Sequence, residues 1–326
     1  MVRYIIRRLI GLVVLLLILS VIMFGLFYML PASPAAMSCG KACNPQTIQA
    51  KKRAWGLDKP IYVQYQQTMK GIFAGRHYAD GRKCGAPCLG YSFQLSQPVT
   101  SLIKERLPVT AGLAFGAAVL WLLIGTGVGV LSALRKGSIF DRSAMTVALV
   151  GVSMPSFFTG LVVLYIFCAK WQLLPWPHYV GVTSNPAKWA ENMLLPWIVV
   201  AFLFAALYAR LTRANMLETM NEDYIRTARA KGLSENKVVV KHGLRAALTP
   251  ILTIFGMDLG GLLGGAILAE QVFTLPGLGK LTVDAVTNAD LPVLFAVSLL
   301  AAFFVISANL IVDLLYAVVD PRVHLQ

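Results

Sequence analysis

Long apolar runs dominate this sequence and restrict it to a small set of folds. A helix needs about 20 apolar residues to cross the hydrocarbon layer, where its backbone groups must be hydrogen-bonded internally. Of the 326 residues, 57% are hydrophobic and 13% are charged, whereas about a quarter are charged in an average soluble domain. The sequence therefore predicts an all-α polytopic membrane protein with six transmembrane helices, at 9–30, 107–134, 143–169, 195–211, 251–273 and 293–319.

The polar residues divide the chain into three parts. Residues 1–30 join a basic N-terminus to the first apolar run, which is too long for a signal peptide and is predicted to remain as a helix. Residues 31–106 are predicted to form an extracytoplasmic subdomain, because long segments cross a membrane largely regardless of charge. Residues 107–326 form the predicted five-helix core, and six crossings place both termini in the cytoplasm.

The basic charge does not indicate a nucleic-acid partner. The net charge is +14, but the bases lie in loops between apolar runs, where the positive-inside rule places them. The four histidines are far apart, and none has the i, i+4 spacing of a helical metal site. The sequence therefore predicts neither nucleic-acid binding nor a bound metal.

The longest polar interruption of the C-terminal half lies at 213–250 and is predicted to begin with a short helix. Thr219 and Glu222 have the spacing of a capping box, which would start a helix that runs to Lys231. Gly232 is predicted to end this helix, because glycine adopts the left-handed C-cap conformation without steric cost.

A second helix is predicted after this glycine. Ser234 can cap a helix that runs to about residue 247, and Pro250 is predicted to mark its end. The result is a helix, a glycine turn and a helix between two membrane spans. Such a pair of helices suits docking into a cleft of a soluble partner.

The order of residues in this loop resembles a known motif. Residues 223–233 read DYIRTARAKGL, and they resemble the EAA coupling loop of ATP-binding cassette (ABC) importer permeases of the oligopeptide, dipeptide and nickel family. Residues 226–228 are Arg-Thr-Ala, where the generic motif has Glu-Ala-Ala. The resemblance implies that the ATPase is contacted by Glu222, Asp223, Tyr224, Arg226, Ala228, Ala230, Lys231, Gly232, Leu233, His242 and Arg245.

Other parts of the chain are similar to the same family. The matching elements are Gly-Leu-Asp-x-Pro at 56–60, Ser-x-Pro-x-Phe at 153–157, Glu-x-Val-Phe with Pro-Gly-Leu-Gly at 270–279, and Asp-Pro-Arg at 320–322. The resemblance implies a type I ABC-importer permease fold, with one span packed outside a five-helix core.

The resemblance also implies partners and a location. The family works as a permease pair, commonly a heterodimer, in the lipid of the bacterial inner membrane. Two ATPase domains, in one fused chain or two chains, bind ATP and magnesium, and an extracytoplasmic binding protein delivers the substrate. This chain would then be no enzyme and would hold no cofactor. Peptides are the expected cargo; nickel, haem or oligosaccharide is the alternative.

Two other classes remain open at this stage. An ion-coupled secondary transporter predicts ionisable side chains at mid-membrane and inverted repeats, and the sequence shows few such acids and no clear repeat. A membrane-embedded enzyme needs a catalytic motif, and neither HExxH nor Gly-x-Ser-x-Gly occurs. An ATPase that co-purifies with the chain would separate these classes from an importer permease.

Four of the five cysteines lie in the extracytoplasmic segment. Cys39 and Cys43 form one close pair, and Cys84 and Cys88 form another. An oxidising compartment favours disulfides over a zinc site with four cysteine ligands, which the spacing also permits. We expect bridges between the two pairs, because they would close a longer loop. Cys168 lies in an apolar run and is predicted to be a buried free thiol.

Four residues in the spans are candidates for the transport path. Pro155 and Phe157 belong to the family-like element of the third span, although a packing kink is the preferred explanation of the proline. Asp258 lies at membrane depth, where an acid faces either a cavity or a hydrogen-bonding neighbour. Glu270 lies near the predicted outer end of the fifth span and is also a candidate.

A glycine-rich stretch near residue 280 invites comparison with a phosphate-binding loop. Gly277, Gly279 and Lys280 have part of the Walker pattern. Thr274 stands where that pattern requires glycine, and Leu281 stands where it requires serine or threonine. The sequence therefore predicts no nucleotide site in this chain.

Overall fold

The computed structural model describes residues 2–29, 44–78, 81–92 and 94–319, most of which are helical. Two helices, α5 (Ile139–Ser153) and α6 (Ser156–Lys170), meet at a bend of 105° and together can make one crossing. With that pair counted once, the described residues hold six candidate crossings, which confirms the predicted class. The other five crossings are α1 (Val2–Met29), α4 (Val99–Leu134), α7 (Pro186–Thr219), α9 (Glu235–Leu263) and α12 (Leu291–Val319).

Shorter elements connect these crossings. The segment between α1 and α4, which is predicted to be external, contains α2 (Pro45–Trp55), α3 (Ile61–Ala74) and two antiparallel hairpins, β1 (Arg76–His77) with β2 (Lys83–Cys84) and β3 (Tyr91–Ser92) with β4 (Gln97–Pro98). The later connections contain α8 (Asp223–Ala230), α10 (Ile267–Val272) and α11 (Leu278–Thr287).

Pro155 divides the third crossing. Proline pushes the preceding residue into extended backbone, and Met154 accordingly has ψ 131° and ends α5. Pro155 itself has ψ 132°, and α6 begins at the next residue. The sequence predicted a bend at this proline, and the structure shows a complete break between two helices.

The largest core lies where α4, α7 and α9 meet. Trp121 on α4 and Tyr208 on α7 are fully buried. The Trp121 ring stacks on Phe204 with centroids 4.6 Å apart and meets Phe255 of α9 edge-on at 6.0 Å. Because all three helices contribute aromatic rings to one cluster, a displacement of one of them requires repacking of the others.

Glycines bring α9 and α12 close together. Gly256, Gly260 and Gly264 recur every four residues and face α12. A side chain at Gly260 would place its Cβ 2.9 Å from the Cα of Val305, which is too close for a real contact. Small residues of this kind allow membrane helices to pack backbone to backbone.

The fifth crossing ends earlier than the sequence predicted. The apolar run suggested a helix to residue 273, but α9 ends at Leu263. Gly265 follows with φ +136°, a backbone conformation that side-chain-bearing residues rarely adopt, and turns the chain into α10. Glu270 therefore lies on a separate short helix.

The external segment is fixed to the membrane core at one side. The Ser92 hydroxyl donates a hydrogen bond to the carboxylate of Asp290, and both residues are buried. The Gln94 side-chain amide donates to the carbonyl of Asn288 at 3.2 Å. Burial raises the pKa of Asp290 above its ordinary value, although the Ser92 hydrogen bond acts in the opposite direction. The β3–β4 hairpin is thus tied to the connection between α11 and α12.

The disulfide prediction was wrong in its pairing. Cys84 is bonded to Cys88, within one close pair. Both sulfurs are buried with Tyr78 and Tyr91, so the short loop closes on its own small core. These two cysteines are bonded to each other and do not serve as zinc ligands. Cys39 and Cys43 lie outside the described residues, while Cys168 is a buried free thiol as predicted.

Candidate functional site

The candidate site is the polar loop between α7 and α9. Its first helix, α8, has a buried face and an exposed face. Ile225 is fully buried and packs with Ala228 and with Val238 from the start of α9, and Met220 covers the same cluster. This small core fixes the angle between α8 and α9. The opposite face of α8 is free to meet a partner.

Gly232 forms the turn between the two helices. Its φ is +76°, and no atom lies within 4 Å of the position that a Cβ would occupy. The Gly232 N–H donates to the Arg229 carbonyl at 2.9 Å, and the Leu233 N–H donates to the Ala228 carbonyl at 3.4 Å. This pair of bonds is a Schellman C-cap, so the predicted glycine cap is present.

The predicted capping box at the start of α8 is absent. Thr219 is the last residue of α7 and is buried, so its side chain does not cap α8. Glu222 occupies the N-cap position of α8, and its side chain makes no capping hydrogen bond. The α7 helix extends further than the pattern suggested, which shifts the cap by three residues.

An exposed ion pair spans the turn at Gly232. The Arg229 guanidinium donates two hydrogen bonds to the Glu235 carboxylate, at 2.7 Å and 3.1 Å. These bonds raise the pKa of Arg229 above its ordinary value. The two-pronged geometry restricts the pair more than a single contact would. It links the end of α8 to the first turn of α9.

The second helix of the loop does not end at Pro250, contrary to the prediction. It continues as α9 into the membrane, with a π-helical segment at Val238–Leu244. A proline is tolerated inside a membrane helix when neighbours satisfy the freed backbone groups. Separately, the Asn215 side-chain amide donates to the carbonyl of Ala247 at 3.3 Å, which ties α7 to α9 one turn before the proline. The loop and the fifth crossing are therefore one continuous rod.

The inner side of the loop is anchored to two core helices. Val239 is buried in a cluster with Ala133 of α4 and Met216 of α7. Gly243 is buried nearby, and a Cβ there would lie 2.9 Å from the sulfur of Met220. A displacement of the loop is thus transmitted to the inner ends of α4, α7 and α9 together.

The exposed side of the loop carries apolar groups among charges. Tyr224 is 45% exposed, Leu233 is 38% exposed and Val240 is 62% exposed. A contiguous apolar patch would mark an interaction site, and the part that these three side chains take in one stays a prediction. Among the predicted contact residues, Ala228 is buried and His242 is half-buried. Those exposed are Glu222, Asp223, Tyr224, Arg226, Ala230, Lys231, Gly232, Leu233 and Arg245.

The sequence did not reveal a buried ion pair close to this loop. Arg213 of α7 donates to both carboxylate oxygens of Asp141 on α5, at 2.6 Å and 2.8 Å. Asp141 also accepts a hydrogen bond from the Gly137 N–H at 2.9 Å. The two residues are 72 positions apart, so no spacing rule pairs them. The ion pair connects the start of the broken crossing to the helix that leads into the loop.

The pathway candidates lie in different surroundings. Phe157 is half-exposed beside the break at Pro155. Asp258 is partly exposed, and its carboxylate accepts a hydrogen bond from the buried Tyr208 hydroxyl at 2.8 Å. Glu270 is fully buried. Their contribution to a transport path stays a prediction.

Glu270 belongs to α10, and its carboxylate lies at the N-terminus of α11. Its carboxylate accepts hydrogen bonds from the Thr110 hydroxyl at 2.7 Å and from the Lys280 N–H at 2.9 Å. Thr110 of α4 in turn accepts from the Leu278 N–H at 2.8 Å. A carboxylate is favoured at a helix N-terminus, where unpaired N–H groups carry partial positive charge. The glycine-rich stretch therefore holds an internal carboxylate where a phosphate loop would hold its ligand.

We expect the environment of Asp258 to depend on Tyr208. Replacing Tyr208 with Phe should preserve the ring packing and remove the hydrogen bond that joins α7 to this acid. Asp258→Asn should keep a hydrogen bond to Tyr208 and leave assembly intact. Asp258→Leu should leave the Tyr208 hydroxyl unpaired, which costs about 1–3 kcal/mol for a buried group. Uptake into proteoliposomes and thermal unfolding in lipid nanodiscs measure the two effects. Uptake at the wild-type rate by Asp258→Leu would exclude Asp258 from the pathway.

Six candidate membrane crossings among the described residues, with a rigid helix–turn–helix loop between two of them, define a polytopic membrane protein. Two family patterns match the chain: the binding-protein-dependent transport system inner membrane component at residues 125–325, and the N-terminal component of such systems at residues 1–114. The chain belongs to this family of ABC-importer permeases. Energy conversion in that class resides in partner ATPase subunits, so the permease itself is not an enzyme. Membership also places it in the inner membrane as a multi-pass protein.

Relatives match the chain almost from end to end. A peptide transport system permease protein of Brucella suis biovar 1 (strain 1330) is 38% identical over 324 residues, covering 99% of each chain. The glutathione transport system permease protein of Escherichia coli (strain K12) has the same identity and coverage. The membership excludes the secondary-transporter and membrane-enzyme alternatives.

Two solved structures share the fold. An inward-facing methionine ABC transporter superposes with a TM-score of 0.52 at 18% identity, covering 68% of this chain and 97% of that one. An amino acid ABC transporter superposes with a TM-score of 0.51 at 15% identity, covering 67% and 94%. These superpositions confirm the predicted type I importer fold.

Proposed function

We propose that this chain is the permease subunit of an ATP-driven importer of peptides and forms half of its translocation pathway. The observation that carries the proposal is the rigid α8–α9 unit, whose buried side is anchored to two core helices, α4 and α7, and whose exposed side presents apolar groups. The relatives are named for peptide and glutathione transport. Those names favour peptides over nickel, haem or oligosaccharide as the cargo.

The loop supplies the mechanical connection. When the ATPase domains close on ATP, the α8–α9 unit moves with them, because the turn is fixed by the Gly232 cap and the Arg229–Glu235 ion pair. Since α9 is continuous through Pro250, this movement reaches the fifth crossing directly. The cluster around Val239 carries it to α4 and α7. Rotation of these helices would open the pathway to alternate sides of the membrane.

The remaining parts follow the family arrangement. A second, homologous permease completes a heterodimer, and two ATPase domains bind below it, as one fused chain or as two. ATP and magnesium belong to those partners, and this chain holds no cofactor. An extracytoplasmic binding protein delivers the cargo to the side of residues 31–106. Both termini lie in the cytoplasm, since Arg7 and Arg8 mark the inner end of α1. The core is formed by residues 107–326.

Purification and reconstitution test this function. A tagged chain should be isolated from its native membranes, its co-purifying chains identified by mass spectrometry, and the complex placed in proteoliposomes with ATP inside. We expect two ATPase domains and a second permease, and uptake of radiolabelled di- or oligopeptide that needs both ATP and the binding protein. Uptake of nickel alone would contradict the cargo, and uptake driven by a proton gradient without ATP would contradict the mechanism.

A further inference from the structure

The external helix α3 carries an apolar stripe that the described chain leaves largely uncovered, with Met69 half-buried between two exposed rings. Tyr62, Met69 and Phe73 lie within about 40° of one another around the helix, at 100° per residue. Phe73 is 85% exposed and Tyr62 is 64% exposed. Gln66 and Lys70 border the stripe and are exposed. Exposed aromatic side chains in a line need a surface to bury them.

The position of α3 relative to α1 indicates what that surface is. The Tyr65 hydroxyl hydrogen-bonds the Ser20 hydroxyl at 2.7 Å, and the Tyr65 ring meets Phe24 edge-on at 5.4 Å. Ser20 follows Arg8 by twelve residues, about 18 Å along the helix axis. Because the hydrocarbon layer is about 30 Å thick, Ser20 lies inside it when Arg8 marks its inner edge. The α3 helix is therefore only one side chain away from a residue of α1 that lies inside the hydrocarbon layer.

The stripe also adjoins a surface that lipid already covers. Tyr65 and Tyr62 are three residues apart, so Tyr62 lies about 60° around α3 from the face that contacts α1. The neighbouring surface of α1 near Ser20 exposes Leu17, Ile18 and Val21, each about half-exposed. An apolar stripe beside that face continues the lipid-exposed surface of α1. A stripe pointing away from the membrane would lie on the opposite side of α3.

We propose that α3 is an interfacial helix, which lies in the outer leaflet with Tyr62, Met69 and Phe73 among the upper acyl chains. Lys70, at the border of the stripe, extends toward the lipid phosphates, as long basic side chains do at a membrane surface. The helix anchors the external segment between α1 and the membrane surface. The occupant of the stripe is phospholipid, and not the binding protein or the second permease.

Depth measurement by spin labelling tests this proposal in the assembled transporter in lipid nanodiscs. A ketone-bearing amino acid at position 73, labelled with a nitroxide, leaves the native cysteines in place; position 62 provides a second site. Position 18, on the lipid-exposed side of α1, is the lipid control, and Lys83, exposed on β2, is the water control.

We expect the ratio of oxygen accessibility to accessibility for a water-soluble nickel complex to be severalfold higher at 73 and 62 than at 83, and close to that at 18. A ratio at 73 equal to that at 83 would place the stripe in water and overturn the proposal. Protection from both reagents at 73 would show that a protein partner covers the stripe, which also overturns it.

Discussion

Gly232→Pro should abolish uptake while the protein remains inserted in the membrane. Proline fixes φ near −65°, whereas Gly232 has φ +76°. Proline also lacks the N–H that Gly232 donates to the Arg229 carbonyl. Both changes open the turn, so the exposed side of α8 would no longer meet the ATPase at its present angle. ATPase binding should weaken, or ATP hydrolysis should cease to respond to the loaded binding protein.

Two matched variants separate the turn from the size of the side chain. The space beside Gly232 is open, so a larger residue meets no neighbour there. Gly232→Asn should transport at nearly the normal rate, because asparagine tolerates the left-handed conformation. Gly232→Ala should cost about 1 kcal/mol of local strain and reduce uptake modestly. The order of uptake should be Asn, then Ala, then Pro. Normal uptake by Gly232→Pro would show that the turn is not part of coupling.

Glu270→Ala should destabilise the fold more than it changes the cargo. Its carboxylate accepts from the Thr110 hydroxyl and the Lys280 N–H in a fully buried site. Each buried donor that loses its acceptor costs about 1–3 kcal/mol. Removal of the carboxylate also takes a negative charge from the N-terminus of α11. We expect a clear loss of thermal stability in nanodiscs and a parallel loss of uptake.

Glu270→Gln and Glu191→Ala are the controls for this site. Gln keeps one acceptor oxygen, so its melting temperature should lie between those of the wild type and Glu270→Ala. Glu191 is exposed on α7, and its replacement should leave stability unchanged. If Glu270→Ala melts like the wild type but transports poorly, the carboxylate acts on the cargo, and the structural role argued here is wrong.

The sequence was sufficient where a local rule decides the structure. Apolar length predicted the six crossings, the isolated Gly232 predicted the left-handed cap, and Pro155 predicted an interruption in the third crossing. Each of these features depends on backbone sterics or on the length of an apolar run. Both can be read from a short stretch of sequence.

The errors arose where tertiary contacts override a local rule. Pro250 reads as a helix end, but α9 continues through it, and Asn215 of α7 is bonded to α9 one turn earlier. Thr219 reads as an N-cap, but burial extends α7 through it. Cys84 pairs with Cys88 because the segment folds on its own small core, which chain-entropy arguments ignore. The Asp141–Arg213 pair had no sequence signal, since only the fold brings α5 and α7 together.

Crosslinking from Ala230 tests the central claim most directly. Ala230 is exposed at the end of α8, so a photoreactive amino acid there should not disturb the buried Ile225 cluster. The same probe at Thr183, exposed in the connection between α6 and α7, reports the opposite side of the membrane. In the assembled transporter, the probe at 230 should crosslink to an ATPase subunit, and the probe at 183 should not. A crosslink from 230 to the extracytoplasmic binding protein, or none to the ATPase, would contradict both the topology and the coupling role of this loop.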